Sequence, residues 1–187
     1  MLLVIGLLYP DPSTMWPGMR SLALFLFLFA ALTDWLDGWL ARKFGQVSEF
    51  GKFMDALADK VLTMGMFVSL LALDALEKWT LFLILLILSR EFLITGLRLV
   101  AAAKGKTLAA EKVGKIKTVV QLLCISLFLG QLAIEVDGTR FLDPALNLQV
   151  SEILRWAGQL SLIFATVLTV LSGIIYLVKY WKYFLDE

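Results

Sequence analysis

Five apolar segments, each roughly 20 residues long and so about the length that crosses a bilayer as an α-helix, constrain this chain more than any other feature of its sequence. They run over residues 22–41, 57–76, 80–103, 113–134 and 153–178. The sequence is 60% hydrophobic and contains six Trp, a composition of integral membrane proteins. Residues 1–9 are apolar but too short to cross alone, and they lack the positive n-region of a signal peptide. They read as the end of a first span whose beginning is missing. No internal repeat, low-complexity tract or soluble domain is visible. The expected fold is an all-α, polytopic transmembrane helical bundle, with residues 1–187 forming a single membrane domain.

The charges are few and sided. Arg42, Lys43, Lys52 and Lys60 flank the link after the first full segment, and Arg98, Lys104, Lys106, Lys112, Lys115 and Lys117 surround the link after the third. Lys179 and Lys182 lie in the tail. By the positive-inside rule these ends face the cytoplasm. The opposite links, 9–18, 74–79 and 135–147, carry mostly acidic residues with Pro and Gly, and read as outer loops. The net charge of +1 hides this asymmetry. Trp35, Trp79, Tyr176, Tyr180 and Trp181 read as interfacial anchors.

With no His in the chain, His-based catalysis and His-ligated zinc are excluded. The one Cys, Cys124, sits in an apolar run and reads as core. Four aspartates remain to be explained. Asp34 and Asp37 stand at i,i+3 on one helix face, and Gly51, Asp55 and Asp59 form an i,i+4,i+8 stripe on the next helix. Carboxylates at that density repel one another unless a cation neutralises them, and hard oxygen ligands suit Mg²⁺ or Mn²⁺. Gly38, Ala41 and Gly51 are small residues on the same faces. They let helices approach, or leave room for a flat ligand.

The pattern Asp34-x-x-Asp37-Gly38-x-x-Ala41-Arg42, eight residues, then Gly51-x-x-x-Asp55-x-x-x-Asp59 resembles the complete signature of the CDP-alcohol phosphotransferase family. The resemblance implies six transmembrane helices, a homodimer, and transfer of a substituted phosphate from a CDP-linked donor to an alcohol with release of CMP. It also implies that Asp34, Asp37, Asp55 and Asp59 hold two divalent ions, that Asp59 is in addition the general base, and that Gly38, Ala41, Arg42 and Gly51 accommodate the CDP moiety. Asp59, at the far end of its stripe, is also the natural proton acceptor on physical grounds, although spacing alone does not separate a base from a ligand.

Two further stretches, Ser89-Arg90-Glu91-Phe92-Leu93-Ile94-Thr95-Gly96-Leu97-Arg98 and Gly114-Lys115-Ile116-Lys117-Thr118-Val119-Val120-Gln121, are similar to the phosphatidylglycerophosphate synthase branch. That similarity implies CDP-diacylglycerol as donor and glycerol 3-phosphate as acceptor. Arg90 and Arg98, at i,i+8, fall near one helix face, and an ionised residue inside a span is a functional candidate. Arg90, Arg98, Lys115 and Lys117 are the expected ligands of the acceptor phosphate. The bland reading pairs Arg90 with a membrane-buried carboxylate, with Glu91 orienting a cation.

Two departures from the family pattern stand out. The Asn-Pro-rich stretch and the front of the first helix that precede such residues are absent here, so the first helix is expected to be shortened. Ala56 stands where the branch usually has Pro, and a good helix former should leave the aspartate geometry unharmed. The expected setting is a multi-pass protein of the inner membrane among membrane lipids, its site facing the cytoplasm, with no nucleic-acid partner. Other acceptors within the family, as in a cardiolipin synthase of the CDP-alcohol type or a phosphatidylinositol-phosphate synthase, are the nearest alternatives. A divalent-cation transport path is the alternative of another class, but it would need polar positions through the membrane depth.

Overall fold

The computed structural model describes residues 1–10, 16–44, 49–103 and 112–181. Among these, the chain forms six α-helices and one 3₁₀ turn at Gly138–Arg140, with no strand. The helices are α1 Leu2–Leu8, α2 Met19–Phe44, α3 Glu49–Ala72, α4 Thr80–Ala103, α5 Lys112–Val136 and α6 Pro144–Tyr180. Each of the five apolar segments of the sequence thus falls on its own long helix, except that residues 73–76 of the second lie beyond the end of α3. Among the described residues three helices are both long and apolar enough to cross a membrane, over 80–102, 116–140 and 144–180. At 26 and 24 residues, α2 and α3 have comparable length, but they carry the aspartates and basic residues of the signature, which interrupt their apolar runs.

The bundle is built around α5. Its most extensive neighbour is α6, and it also packs against α2 and α3, while α4 packs against α6 and α3 and α1 lies on α2. Phe27, Met66, Phe67, Leu70, Ile87, Ile125, Phe128, Leu129 and Leu162 form one continuous core across five helices. Cys124 is part of it, fully buried, as its apolar surroundings predict.

The polarity of α6 is the reverse of a soluble helix. Its inward face carries Gly158, Gln159, Leu162, Ala165, Thr166, Thr169, Ser172 and Gly173, all buried. Its outward face shows Ile153, Trp156, Leu160, Phe164, Val167, Leu171 and Ile175. Small and weakly polar residues inside with large apolar ones outside is the arrangement expected where lipid, not water, covers the outer face. Gly158 permits the close α5–α6 approach: a Cβ there would lie 2.9 Å from the Phe128 ring.

Two links differ from their expected bounds for identifiable reasons. The second segment stops at Ala72 instead of running to Leu76, because Asp74 takes a left-handed backbone conformation, φ 53°, which no α-helix continues through. The last helix begins at Pro144, well before residue 153. Asp143 caps it, its carboxylate accepting from Ala145 N at 3.2 Å, and Pro144 fills the first turn where a missing N–H costs nothing. Tyr176 and Tyr180 correct the anchor expectation: both are buried, with ring centroids 4.6 Å apart. Inward spacing on α6 outweighs their preference for an interface. Trp79 and Trp181 are exposed near helix ends, as anchors should be.

Candidate active site

Topology gathers the signature at one end of the bundle. A cavity of about 420 Å³ lined by Arg20, Asp74, Glu77, Gln131, Glu135 and Arg155 marks the end where α2 and α4 start and α3 and α5 finish. It is charged, but it contains no residue of the signature. The aspartates lie toward the other end. Counting about 1.5 Å per residue along each helix, Asp34 and Asp37 fall roughly 10–15 Å from the C-terminus of α2, and the backbone positions of Asp55 and Asp59 fall roughly 9–15 Å from the N-terminus of α3. The four are therefore level with one another along the bundle.

A cleft of about 370 Å³ opens at that level between the two helices. Ala30, Thr33, Asp34 and Asp37 of α2 form one wall, and Ala58, Val61 and Leu62 of α3 form the other. Both described aspartates are exposed along it. The side chains of Gly38, Ala41, Arg42, Gly51, Asp55, Asp59 and Lys115 lie outside the described residues. Ala58 stands between Asp55 and Asp59 on α3, so the α3 wall is the segment that bears them.

A second polar group occupies the α4–α5–α6 seam. The Arg90 guanidinium donates from Nη1 to Glu91 Oε1 at 3.3 Å and from Nη2 to Ser172 Oγ at 2.9 Å. Lys117 Nζ, from α5, bonds the same Glu91 oxygen. Glu91 and Lys117 are buried, and the Arg90 side chain is 13% exposed. One carboxylate thus gathers two cations and leaves the group with a net positive charge. Arg90 Nε finds no acceptor among the described residues. Buried donors are rarely left unused. Arg98 is exposed on α4, about two turns nearer the aspartate end.

Of the four cations expected at the acceptor phosphate, the structure therefore joins Arg90 and Lys117 through Glu91, and places Arg98 on the same helix as Arg90. The bland expectation, Arg90 paired with a carboxylate, is also met, and by the neighbouring residue. Sequence reading missed the contribution of α6. Ser172 accepts from Arg90, and Gly173 lies against its stem, where a Cβ would fall 2.9 Å from Arg90 Cγ. The available signal was a small-residue pair on the inward face of a helix whose outward face is large and apolar.

Comparison with known proteins agrees with the signature. The model of the CDP-alcohol phosphatidyltransferase family matches residues 1–171. The chain is similar to the CDP-diacylglycerol–glycerol-3-phosphate 3-phosphatidyltransferase of Bacillus subtilis (strain 168), 40% identical over 158 residues that cover 84% of this chain and 72% of the relative. The Rickettsia felis protein of the same name is 34% identical over 165 residues, 88% of this chain and 82% of the relative. A probable phosphatidylglycerophosphate synthase of Mycobacterium tuberculosis is 34% identical over 160 residues, 86% of this chain and 66% of the relative. With the eight-position signature on α2 and α3 and a family match that spans most of its length, the chain belongs to the CDP-alcohol phosphatidyltransferase family.

Proposed function

We propose that this protein transfers the phosphatidyl group of CDP-diacylglycerol to glycerol 3-phosphate, giving phosphatidylglycerophosphate and CMP. The observation that carries this reading is the cleft between α2 and α3, bordered by Asp34 and Asp37 and by the α3 segment bearing the other two aspartates. The names of the relatives support the donor and acceptor.

The donor set suits a divalent metal, since carboxylate oxygens are the hard ligands that Mg²⁺ and Mn²⁺ prefer. In this reading Asp34, Asp37, Asp55 and Asp59 would hold two ions. Bound there, such ions neutralise the diphosphate and stabilise the leaving cytidylate. The chain's own groups do the rest. Gly38, Ala41, Arg42 and Gly51 accommodate the CDP moiety. Asp59 takes the proton of the glycerol 3-phosphate hydroxyl as its oxygen bonds to the phosphorus bearing diacylglycerol. The P–O bond to the cytidylate breaks, and CMP leaves with the electron pair.

Bare carboxylates would repel the phosphate of the acceptor. Arg90, Arg98, Lys115 and Lys117 counter this with fixed cations, and the unused Arg90 Nε–H is a donor fit for a phosphate oxygen. The reading includes a single membrane domain over 1–187, a homodimer, and a site on the cytoplasmic side of the cell's inner membrane. The sidedness rests on the basic residues at the aspartate end. The acyl chains of the donor then stay in the bilayer while its cytidine enters from water.

Purified protein given CDP-diacylglycerol, Mg²⁺ or Mn²⁺ and a panel of acceptors tests the reading by CMP release. Glycerol 3-phosphate should be the preferred acceptor. Preference for an inositol phosphate or for phosphatidylglycerol would refute the acceptor assignment and leave the CDP-alcohol chemistry standing.

A further inference from the structure

We infer that Ser172 and Gly173 of α6 are positioning residues for the acceptor: they fix the Arg90 guanidinium at the angle needed to receive the phosphate of glycerol 3-phosphate. The inference rests on the acceptor role proposed above for Arg90, and it extends the site to a helix that carries none of the signature.

Three observations carry it. The Ser172 hydroxyl is oriented, because it donates to Thr169 O at 3.0 Å and so presents a lone pair to Arg90 Nη2 at 2.9 Å. Gly173 gives the Arg90 stem its path across α6: a Cβ there would meet Arg90 Cγ at 2.9 Å, Nε at 3.4 Å and Cδ at 3.7 Å. Both residues are fully or almost fully buried, with Ser172 1% exposed. With Glu91 holding Nη1 and Ser172 holding Nη2, the two terminal nitrogens are fixed from opposite helices and Nε alone is left without an acceptor among the described residues. A planar fork held at two points has a defined donor direction, which is what phosphate recognition by arginine requires.

A glycine in the middle of a helix is also a poor choice for stability alone, since Ala is the better helix former. Close approach of Arg90 supplies the reason for Gly173. The substitution Gly173→Ala therefore separates the two roles. Were the glycine there only for helix geometry, Ala would be neutral or stabilising and leave kinetics alone.

The test is steady-state kinetics of the purified full-length protein with glycerol 3-phosphate varied, together with thermal melting. Gly173→Ala and Ser172→Ala should each raise KM for glycerol 3-phosphate about tenfold, the scale of one lost or misdirected hydrogen bond to a charged group. The kcat at saturating acceptor and the KM for CDP-diacylglycerol should change by less than about threefold, the residual allowed for indirect effects. In an Arg90→Ala background Gly173→Ala should leave kcat/KM for glycerol 3-phosphate unaltered, since the residue acts only through Arg90. The same loss in both backgrounds, or an unchanged KM in both single variants, overturns the inference. Ser172→Ala only deletes an atom, so it keeps the test decisive if Gly173→Ala lowers expression. Should Arg90→Ala itself leave KM for glycerol 3-phosphate unchanged, the acceptor role of Arg90 fails and the inference falls with it. An effect of Arg90→Ala without any of Gly173 or Ser172 refutes the inference alone.

Discussion

Asp137, at the end of α5, accepts hydrogen bonds from both the backbone N–H and the hydroxyl of Ser21, at 2.8 and 2.7 Å, and so caps the start of α2 from a different part of the chain. Its other oxygen takes the Gly18 N–H at 2.9 Å, where Gly18 turns with φ +88°. Helix N-termini leave four N–H groups without partners, and here one carboxylate satisfies two of them and a neighbour. Asp137→Ala should cost about 1–2 kcal/mol, the scale of a lost cap. Because this contact lies at the end of the bundle remote from the aspartates, the thermal midpoint should fall while KM for the donor stays constant. A variant that loses donor affinity without loss of stability would contradict this division.

The α5–α6 contact is steric at Gly158. Adding a methyl at 2.9–3.1 Å from three Phe128 ring carbons overfills the core, at a cost of about 1–3 kcal/mol, of which the better helix propensity of Ala offsets up to about 1 kcal/mol. Gly158→Ala should lower the melting midpoint, and Phe128→Leu in the same chain should restore part of it. Additive losses in the double variant would show that the two residues do not share the space.

Glu77 is a pH-dependent tie. Its carboxylate accepts from the Trp79 indole at 2.6 Å and the Gln159 amide at 2.8 Å, which hold it below the usual carboxylate range against a smaller opposing effect of desolvation. A folded pKa below the unfolded value means stabilisation that is complete above the unfolded pKa, about 4.3, and is lost as pH falls through the folded pKa. The difference in melting midpoint between wild type and Glu77→Gln should therefore be constant near neutral pH and shrink below about pH 4. A difference independent of pH would show that the Glu77 charge contributes nothing.

Much of this architecture is legible in the sequence because membrane helices announce themselves by length and apolarity. The segment 80–103 coincides with α4 at both ends, for residues 80–89 carry no charge and Thr80 begins it. Legibility fails where a few polar atoms decide. In the sequence the Asp143-Pro144 start of α6 resembles a loop because its residues are turn formers, yet a capping carboxylate and a Pro at the first turn are also a helix start. Tyr176 and Tyr180 face inward because of their register on α6, which hydropathy does not encode. For the site, fixed spacing made the aspartates of α2 and α3 visible, since one face of each helix carries them. The Arg90–Ser172 contact joins residues 82 apart, and no local pattern specifies it.

In the proposed reaction Asp34 and Asp59 have different roles, one in metal binding and the other in proton transfer. Asp34→Asn keeps the size and loses the charge, so turnover should disappear and excess Mg²⁺ or Mn²⁺ should restore little of it. Asp59→Asn should suppress kcat far more than donor affinity, since a missing proton acceptor matters mainly in the transition state. If Asp59→Asn weakens CDP-diacylglycerol binding in step with its rate, Asp59 is a ligand and not a base.

The most direct measurement is the identity of the lipid product. Purified protein in detergent, supplied with CDP-diacylglycerol, isotopically labelled glycerol 3-phosphate and Mg²⁺ or Mn²⁺, should yield labelled phosphatidylglycerophosphate by mass spectrometry, with one CMP per lipid formed and none of either in excess chelator. CMP released without label entering lipid, or equal product in chelator and metal, would contradict the proposed reaction at the α2–α3 cleft.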